Sequence, residues 1–358
     1  MKRLSLPVVV SFLLVSFFAA AQTDLMKNGE DAFKARNYTK AEAYFSTYIH
    51  SNQGQIDDYL RKKRAYDTSS AYVKGTTYAN FKINHDWARA FYERAITYVR
   101  LAYNDNVEKD LEMALKIDPA YAEAYYREGL LKKDKGDKLG ECICIGKAMS
   151  NSDTFKLARA AYSDNFCWET ANEYFKKGRE HVELKEYGAA IKELNTAIMI
   201  SPDSGNYYAF RAMAFNGVGK TDSAIDDFAN AIKVNPKSYF AYYYRALCYE
   251  QKQKYKDAFN DLTEAIKIRP NSAEAYMHRG DDCMAMEKEA SAVYDYQQVI
   301  RIKPSEGIAY YKVAQYWLKL KQNPKACDYF NRALSLGIDD AQSYVDDCKK
   351  AAAAVLTK

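Results

Sequence analysis

The chain has 358 residues, 48% hydrophobic and 28% charged, with 52 Lys+Arg against 47 Asp+Glu and a formal net charge of +5. With only 15 Gly and 7 Pro, collagen-like and low-complexity disordered chains are excluded. The small charge gives no reason to expect nucleic acid, and 4 unclustered His leave little material for a metal centre or a His-based catalytic site, so no catalytic residue, metal or cofactor is assigned.

Residues 1–21 read as a secretory signal peptide. Lys2 and Arg3 open it, Val8 to Phe18 is mostly apolar, and Ala19-Ala20-Ala21 supplies small residues for a peptidase, with cleavage expected before Gln22. The competing reading is an uncleaved anchor, but the apolar run is half of the ~20 residues a spanning helix needs, and Pro7 and Ser11 break the segment. No Cys follows the cleavage site to accept a lipid, and no later run is apolar enough to span a membrane. The protein is therefore expected to be exported, periplasmic or secreted.

A period of 34 residues organises the rest of the chain, plainest in five gapless units starting at Ala171, Gly205, Tyr239, Ala273 and Gly307 and ending at Asp340. Position 4 is always Tyr (174, 208, 242, 276, 310), position 8 is Gly or Ala, and position 20 is always Ala. Position 24 is large (Leu194, Phe228, Leu262, Tyr296, Phe330), position 27 is Ala or Val, and position 32 is Pro in all but the last unit, which has Ile338. Large residues at 4 and 11 around a small one at 8 make one helical stripe, and positions 20, 24, 27 and 28 make a second. The small residues let two helices approach so that the large ones interlock, and Pro at 32 stops the second helix. One such hairpin cannot bury its own apolar surface, but stacked neighbours can.

In chain order, Gln22 to about Gln55 keeps Leu25, Gly29, Ala41 and Phe45 of this pattern, and residues 56–87 read as helical but degenerate, one irregular repeat at most. Residues 88–121 fit best in this half, with Phe91, Ala95, Tyr98, Leu111, Ala114 and Pro119 in register. Residues 122–155 begin well with Tyr125, Gly129 and Ala148, then depart at Lys132 and Glu141. Residues 22–155 thus form a degenerate N-terminal set. Residues 156–170 break the register and mark a boundary, 171–340 hold the five strong units, and 341–358 form a capping helix with Tyr344, Cys348, Ala352 and Val355 on one face.

Seven Cys leave at least one thiol unpaired, and most read as small buried hydrophobes. Cys327 with Cys348 is the first pair to test, since both lie in the last helices. Cys142-x-Cys144 lacks the second pair a zinc site needs. Residues 214–221 match a relaxed phosphate-loop pattern, but no strand precedes them. Gly219 falls in a turn between two helices, with Thr221-Asp222 placed to cap the second. His181, at position 11, reads as a satisfied core histidine. Arg211, Arg245 and Arg279 recur at position 7 and Asp227, Asp261 and Asp295 at position 23. They are expected to form a structural ladder of Arg–Asp bridges rather than a charged binding stripe, which requires each pair to lie within about 6 Å.

The pattern aromatic-x-x-x-small, Ala-x-x-x-large-x-x-Ala, then Pro, met by residues 171–340, resembles the tetratricopeptide-repeat family. The resemblance implies an all-α, right-handed superhelical solenoid of antiparallel helix pairs whose concave groove, made by the first helices, holds a protein or peptide segment. By that resemblance positions 2, 5, 9 and 12 face inward: Phe175, Arg179, Asn206, Met213, Asn216, Phe240, Tyr243, Leu247, Met277, Asp281, Tyr311, Gln315 and Leu318, joined by Tyr92, Ile96, Tyr126 and Leu130. Some family members clamp a terminal carboxylate with Lys, Asn and Arg. Here Phe175, Ala209 and Tyr243 occupy clamp positions, which disfavours that role. The expected function is a non-catalytic scaffold or adaptor of the bacterial cell envelope. The alternatives are a carbohydrate-binding protein using the Tyr-rich groove and, more remotely, a nucleotide-binding enzyme.

Overall fold

The computed structural model describes residues 22–67, 83–152, 155–164 and 166–356. The expected signal peptide at 1–21 lies outside them. The described residues contain helices and no strand. The chain divides into two compact units, Met1–Thr170 and Ala171–Lys358.

The first unit contains α1 (22–34), α2 (Tyr38–Asp67), α3 (His85–Leu101), α4 (Asn104–Ile117), α5 (Ala122–Asp134), α6 (Lys138–Asn151) and α7 (Lys156–Asp164). A Cβ on Gly29 would meet the Phe45 ring at 2.6 Å, so position 8 must be small where position 24 is an aromatic. Residues 56–67 form no hairpin of their own; they continue α2. Ile56 is fully buried, and the Tyr59 hydroxyl donates to the Ile117 carbonyl at 3.1 Å, which ties this extension to the end of α4. Glu141, where Ala is the rule, is 2% exposed with Oε1 unbonded, so the departure seen in the sequence is a real irregularity of the packing. Cys142 and Cys167 form a disulfide with a Cα–Cα distance of 5.3 Å. The sequence leaves both among the buried thiols. The structure corrects this, because the register break brings together residues 25 positions apart without any repeat spacing to announce it.

From α8 (Cys167–Glu183), whose first residues 167–170 belong to the first unit, the helix pairs are α8 with α9 (Tyr187–Ile200), α10 (Gly205–Gly217) with α11 (Thr221–Val234), and α12 (Tyr239–Gln251) with α13 (Tyr255–Ile268). Next come α14 (Ala273–Ala285) with α15 (Glu289–Ile302), then α16 (Gly307–Lys319) with α17 (Asn323–Ser335), and finally a 3₁₀ turn (Asp339–Ala341) and α18 (Gln342–Leu356). The second helices end at Ile200, Val234, Ile268 and Ile302, two residues ahead of each Pro. The buried layer is the predicted one: Leu194, Phe228, Leu262, Tyr296 and Phe330 are at most 1% exposed. On α18, Tyr344 stacks on Phe330 at 4.4 Å between centroids, Val345 is buried, and Cys348 is bonded to Cys327 across a Cα–Cα distance of 5.9 Å. This is the pair expected from the sequence. Cys144, Cys248 and Cys283 remain buried thiols.

One regularity is common to both units. Position 15 is left-handed in every repeat: Arg36, Ala102, Lys185, Gln253, Glu287 and Lys321 at φ 57–60°, with Gly136 and Gly219 at 74° and 77°. This residue turns the chain between the paired helices, and only two of the eight are Gly, the residue that takes this conformation without steric cost. Gly219 is therefore a hairpin turn, as expected. Thr221-Asp222 do not cap α11, however: Lys220 is the N-cap residue with no side-chain bond, the Thr221 hydroxyl donates to Asn216 Oδ1 at 3.3 Å, and Asp222 pairs with Lys252.

Candidate functional site

The Arg–Asp ladder forms. Arg211, Arg245 and Arg279 each make a two-bond fork to Asp227, Asp261 and Asp295 at 2.7–2.9 Å, and these carboxylates are 2–6% exposed. A fourth rung that the sequence reading passed over, Arg94–Asp110, has the same geometry at 2.7 and 2.8 Å in the repeat 88–121. A further link appears only in three dimensions. The free guanidinium nitrogen reaches position 25 of the preceding repeat: Ser46 for Arg94, Asn195 for Arg211 and Thr263 for Arg279, at 3.1, 2.7 and 3.2 Å. That first contact also stacks repeat 88–121 directly on repeat 22–55. Rings at positions 4 and 11 lie 5.4–5.9 Å from the guanidinium carbons, as Tyr208 and Phe215 do at Arg211. Burial pushes the Asp110 and Asp261 carboxyls up while the forks pull them back. The ladder is buried mortar between hairpins and offers no charged stripe to a partner.

The expected inward positions lie on the first helices and mix exposed polar residues with half-buried apolar ones. Arg179, Asn206, Gln315 and Leu318 are exposed, and Arg179 pairs only with Glu183 on its own helix at 3.6 Å. Phe175 stacks on Tyr207 at 4.8 Å and meets Phe210 edge-on at 5.4 Å. Phe240 stacks on Phe210 at 5.8 Å and leans on Tyr244 at 4.4 Å. Tyr243 continues the row to Tyr244 at 5.3 Å and His278 at 5.7 Å, and burial first, then Tyr239, raises its hydroxyl pKa to about 12. Several aromatics expected to line the groove thus also pack repeat against repeat, and Phe175, Phe240 and Tyr243 are half-buried. Tyr311 packs on Phe330 and on Tyr344 of α18. In the first unit Tyr126 lies edge-on to Phe155 at 5.3 Å, Tyr92 packs on Tyr121 at 5.0 Å, and Ile96 and Leu130 are half-buried.

Two cavities open among these positions. Met213, Asn216 and Leu247 line one of about 320 Å³, completed by Val182, Tyr187, Phe228, Tyr244 and Gln251. Tyr243 and Met277 line another of about 200 Å³ with Glu274, His278, Val299 and Ile308. Asp281 is half-buried and already bonded: it accepts from the Tyr296 hydroxyl at 2.6 Å and from Lys312 Nζ at 2.7 Å. The sequence reading missed position 6, where Phe210, His278 and Lys312 carry contacts between successive first helices and Tyr244 stacks on Phe228 of α11. The aromatic pair at 210 and 244, one period apart, was the available signal. His181 is half-buried rather than in the core, with Nδ1 2.6 Å from Glu186 Oε2. Among the described residues no group of acids, His and Cys could hold a metal, and no helix is long and apolar enough to cross a membrane.

Profiles described as "Tetratricopeptide repeat" match residues 174–204 and 211–273, and the chain carries tetratricopeptide repeats, an all-α stack of helical hairpins. Repeats of this kind make protein-interaction scaffolds. Comparison with curated proteins finds no match. Among solved structures the chain is similar to MamA, at 21% identity and a TM-score of 0.43 over 46% of this chain and 96% of that one. It is also similar to MamA from Desulfovibrio magneticus RS-1, at 17% identity and 0.43 over 46% and 94%. YrrB, described as a TPR protein with an unusual peptide-binding site, aligns at 16% identity and 0.43 over 49% and 90%. These likenesses concern the fold alone.

Proposed function

We propose that this chain is a non-catalytic adaptor that holds one segment of a partner protein along the first helices of repeats 171–340, in the periplasm of a bacterium or outside the cell. The observation that carries the reading is the pair of cavities on that face, with Met213, Leu247, Met277 and Tyr243 as apolar walls and Asn216 and Gln251 as amides able to bond a peptide backbone. Flexible Met beside aromatic rings suits apolar side chains of a bound segment. Export is supported by the signal-like segment at 1–21 and by two disulfides, which persist in oxidising compartments. The apolar residues supply the anchors, so the part of partner capture that depends on salt should come from Glu183, Lys185, Glu274, Lys303 and Glu306 at the cavity walls. The rings of the row stack on one another, which takes ring faces away from the carbohydrate alternative.

The test is a photo-crosslinking amino acid placed at Leu247, at Met277 and, as control, at the exposed Tyr294 of α15, in cells producing the full chain. One discrete crosslinked protein from the first two positions and none from Tyr294 is the expected result. Crosslinks from Tyr294 alone would refute the reading.

A further inference from the structure

Position 10 of the first helix is filled by Ala214 and Cys248 in repeats 205–238 and 239–272, at 0% and 2% exposure. Repeat 273–306 places Asp282 there, 1% exposed, with Oδ2 bonded to nothing. A buried carboxyl without a partner is costly ionised and much less so neutral. Its surroundings sharpen the point. From α12 the Glu250 carboxylate acts on it, and on its own helix His278, one turn earlier, and Asp281 flank it, next to the Cys283 thiol. His278 Nδ1 lies 3.1 Å from both Glu250 oxygens. Lys312 of α16 and Tyr296 of α15 direct their bonds to Asp281, and Asp261 of α13 is closed by Arg245.

We propose that α12 and α14 form a pH-sensitive joint, closed when Asp282 is protonated and His278 is an imidazolium held on Glu250, and loosened as the two give up their protons in the alkaline direction. Burial, then the Glu250 charge, raises the Asp282 carboxyl to about 8, and the bond to Glu250 raises His278 above its usual 6.5. Both shifts give the same sign. The folded His278 keeps a proton that the unfolded chain sheds near 6.5, and the folded Asp282 keeps one that the unfolded chain sheds near 3.8. Each contribution is therefore present at low pH and lost as pH rises through the folded value. The groups interact, so the protons leave as a property of the cluster. Above that range Asp282 adds a negative charge beside the Glu250 and Asp281 side chains, while Lys312 stays bonded to Asp281. Tyr243 and Leu247 ride on α12 and Met277 on α14. An effect on partner binding rests on the proposed function; the joint itself does not.

The experiment measures the thermal midpoint of the full chain from about pH 6 to pH 9 for the native protein, Asp282→Asn and Glu250→Gln, with a ¹³C-carboxyl titration of Asp282 in the native protein. The native midpoint should fall across this range. Asp282→Asn should sit about 2–4 °C or more above it at the alkaline end with a shallower slope, Glu250→Gln should also flatten the slope, and the carboxyl should titrate at about 8. A carboxyl that titrates near its ordinary 3.8, or an Asp282→Asn curve parallel to the native one, overturns the proposal. Should the Asn variant not fold, the native carboxyl titration decides alone.

Discussion

Truncating Arg279 to Ala leaves the Asp295 carboxylate, 2% exposed, with its two charge-assisted bonds of 2.9 and 2.7 Å removed. Breaking one side of a buried pair costs about 3–5 kcal/mol, because the remaining charge is orphaned. Asp295→Ala alone should cost less, since the 14% exposed Arg279 side chain can swing toward solvent. Removing both should cost less than the sum, and a double-mutant cycle should return a coupling of about 2–3 kcal/mol. The exposed pair Lys267–Glu264, with side chains 65% and 45% exposed, is the internal reference, and its coupling should stay below about 1 kcal/mol. Urea unfolding followed by helical circular dichroism reads all seven proteins. Repeats unfold partly one by one, so the loss should appear as an early shoulder in the single mutant. A ladder coupling no larger than the Lys267–Glu264 coupling would refute the view that these forks hold the hairpins. Thr263→Val adds the neighbour term: it removes a 3.2 Å bond between repeats and should cost about 1 kcal/mol.

Gly280→Ala puts a methyl 2.6 Å from the Tyr296 ring and should destabilise by about 1–3 kcal/mol, read as a lower urea midpoint. Gln253→Gly relieves a left-handed φ of 57° and should add up to ~1 kcal/mol of stability, read as a higher urea midpoint, whereas Gly219→Ala, at φ 77°, should lower that midpoint. Reducing Cys327–Cys348, which closes a separation of 21 residues, removes about 3 kcal/mol of chain-entropy stabilisation. Amide exchange on α18 should then accelerate while α9 to α13 keep their protection, and uniform acceleration would show that the cap is not a separate element.

The repeat was legible because its rules are local and periodic. Gly280 faces Tyr296 and Gly178 faces Leu194 so closely that a Cβ on either would lie 2.6 Å away, and such small–large pairs recur every 34 residues where any reader can count them. The Arg–Asp rungs were legible for the same reason, and Arg94–Asp110 was missed only because its repeat is imperfect elsewhere. The candidate site was less legible. Phe175, Phe240 and Tyr243 were placed on the correct helices, but whether a ring faces a partner or the next repeat depends on position 6 of the neighbour. The left-handed turn at position 15 was hidden because Lys185, Gln253 and Glu287 occupy it as readily as Gly219 does here.

Helix pairing, hairpin length and the buried layer were settled by the amino-acid order, since burying a stripe of side chains every 34 residues is a matter of local spacing. Which side chains close on one another was left to the tertiary structure: the Cys142–Cys167 bond, the reach of Arg279 to Thr263, and the enclosure of Asp282 opposite Glu250. Those outcomes depend on the spacing and rotation of helices far apart in the chain. A carboxyl that is harmless on a helix surface becomes an uncompensated buried acid only when the preceding repeat covers it.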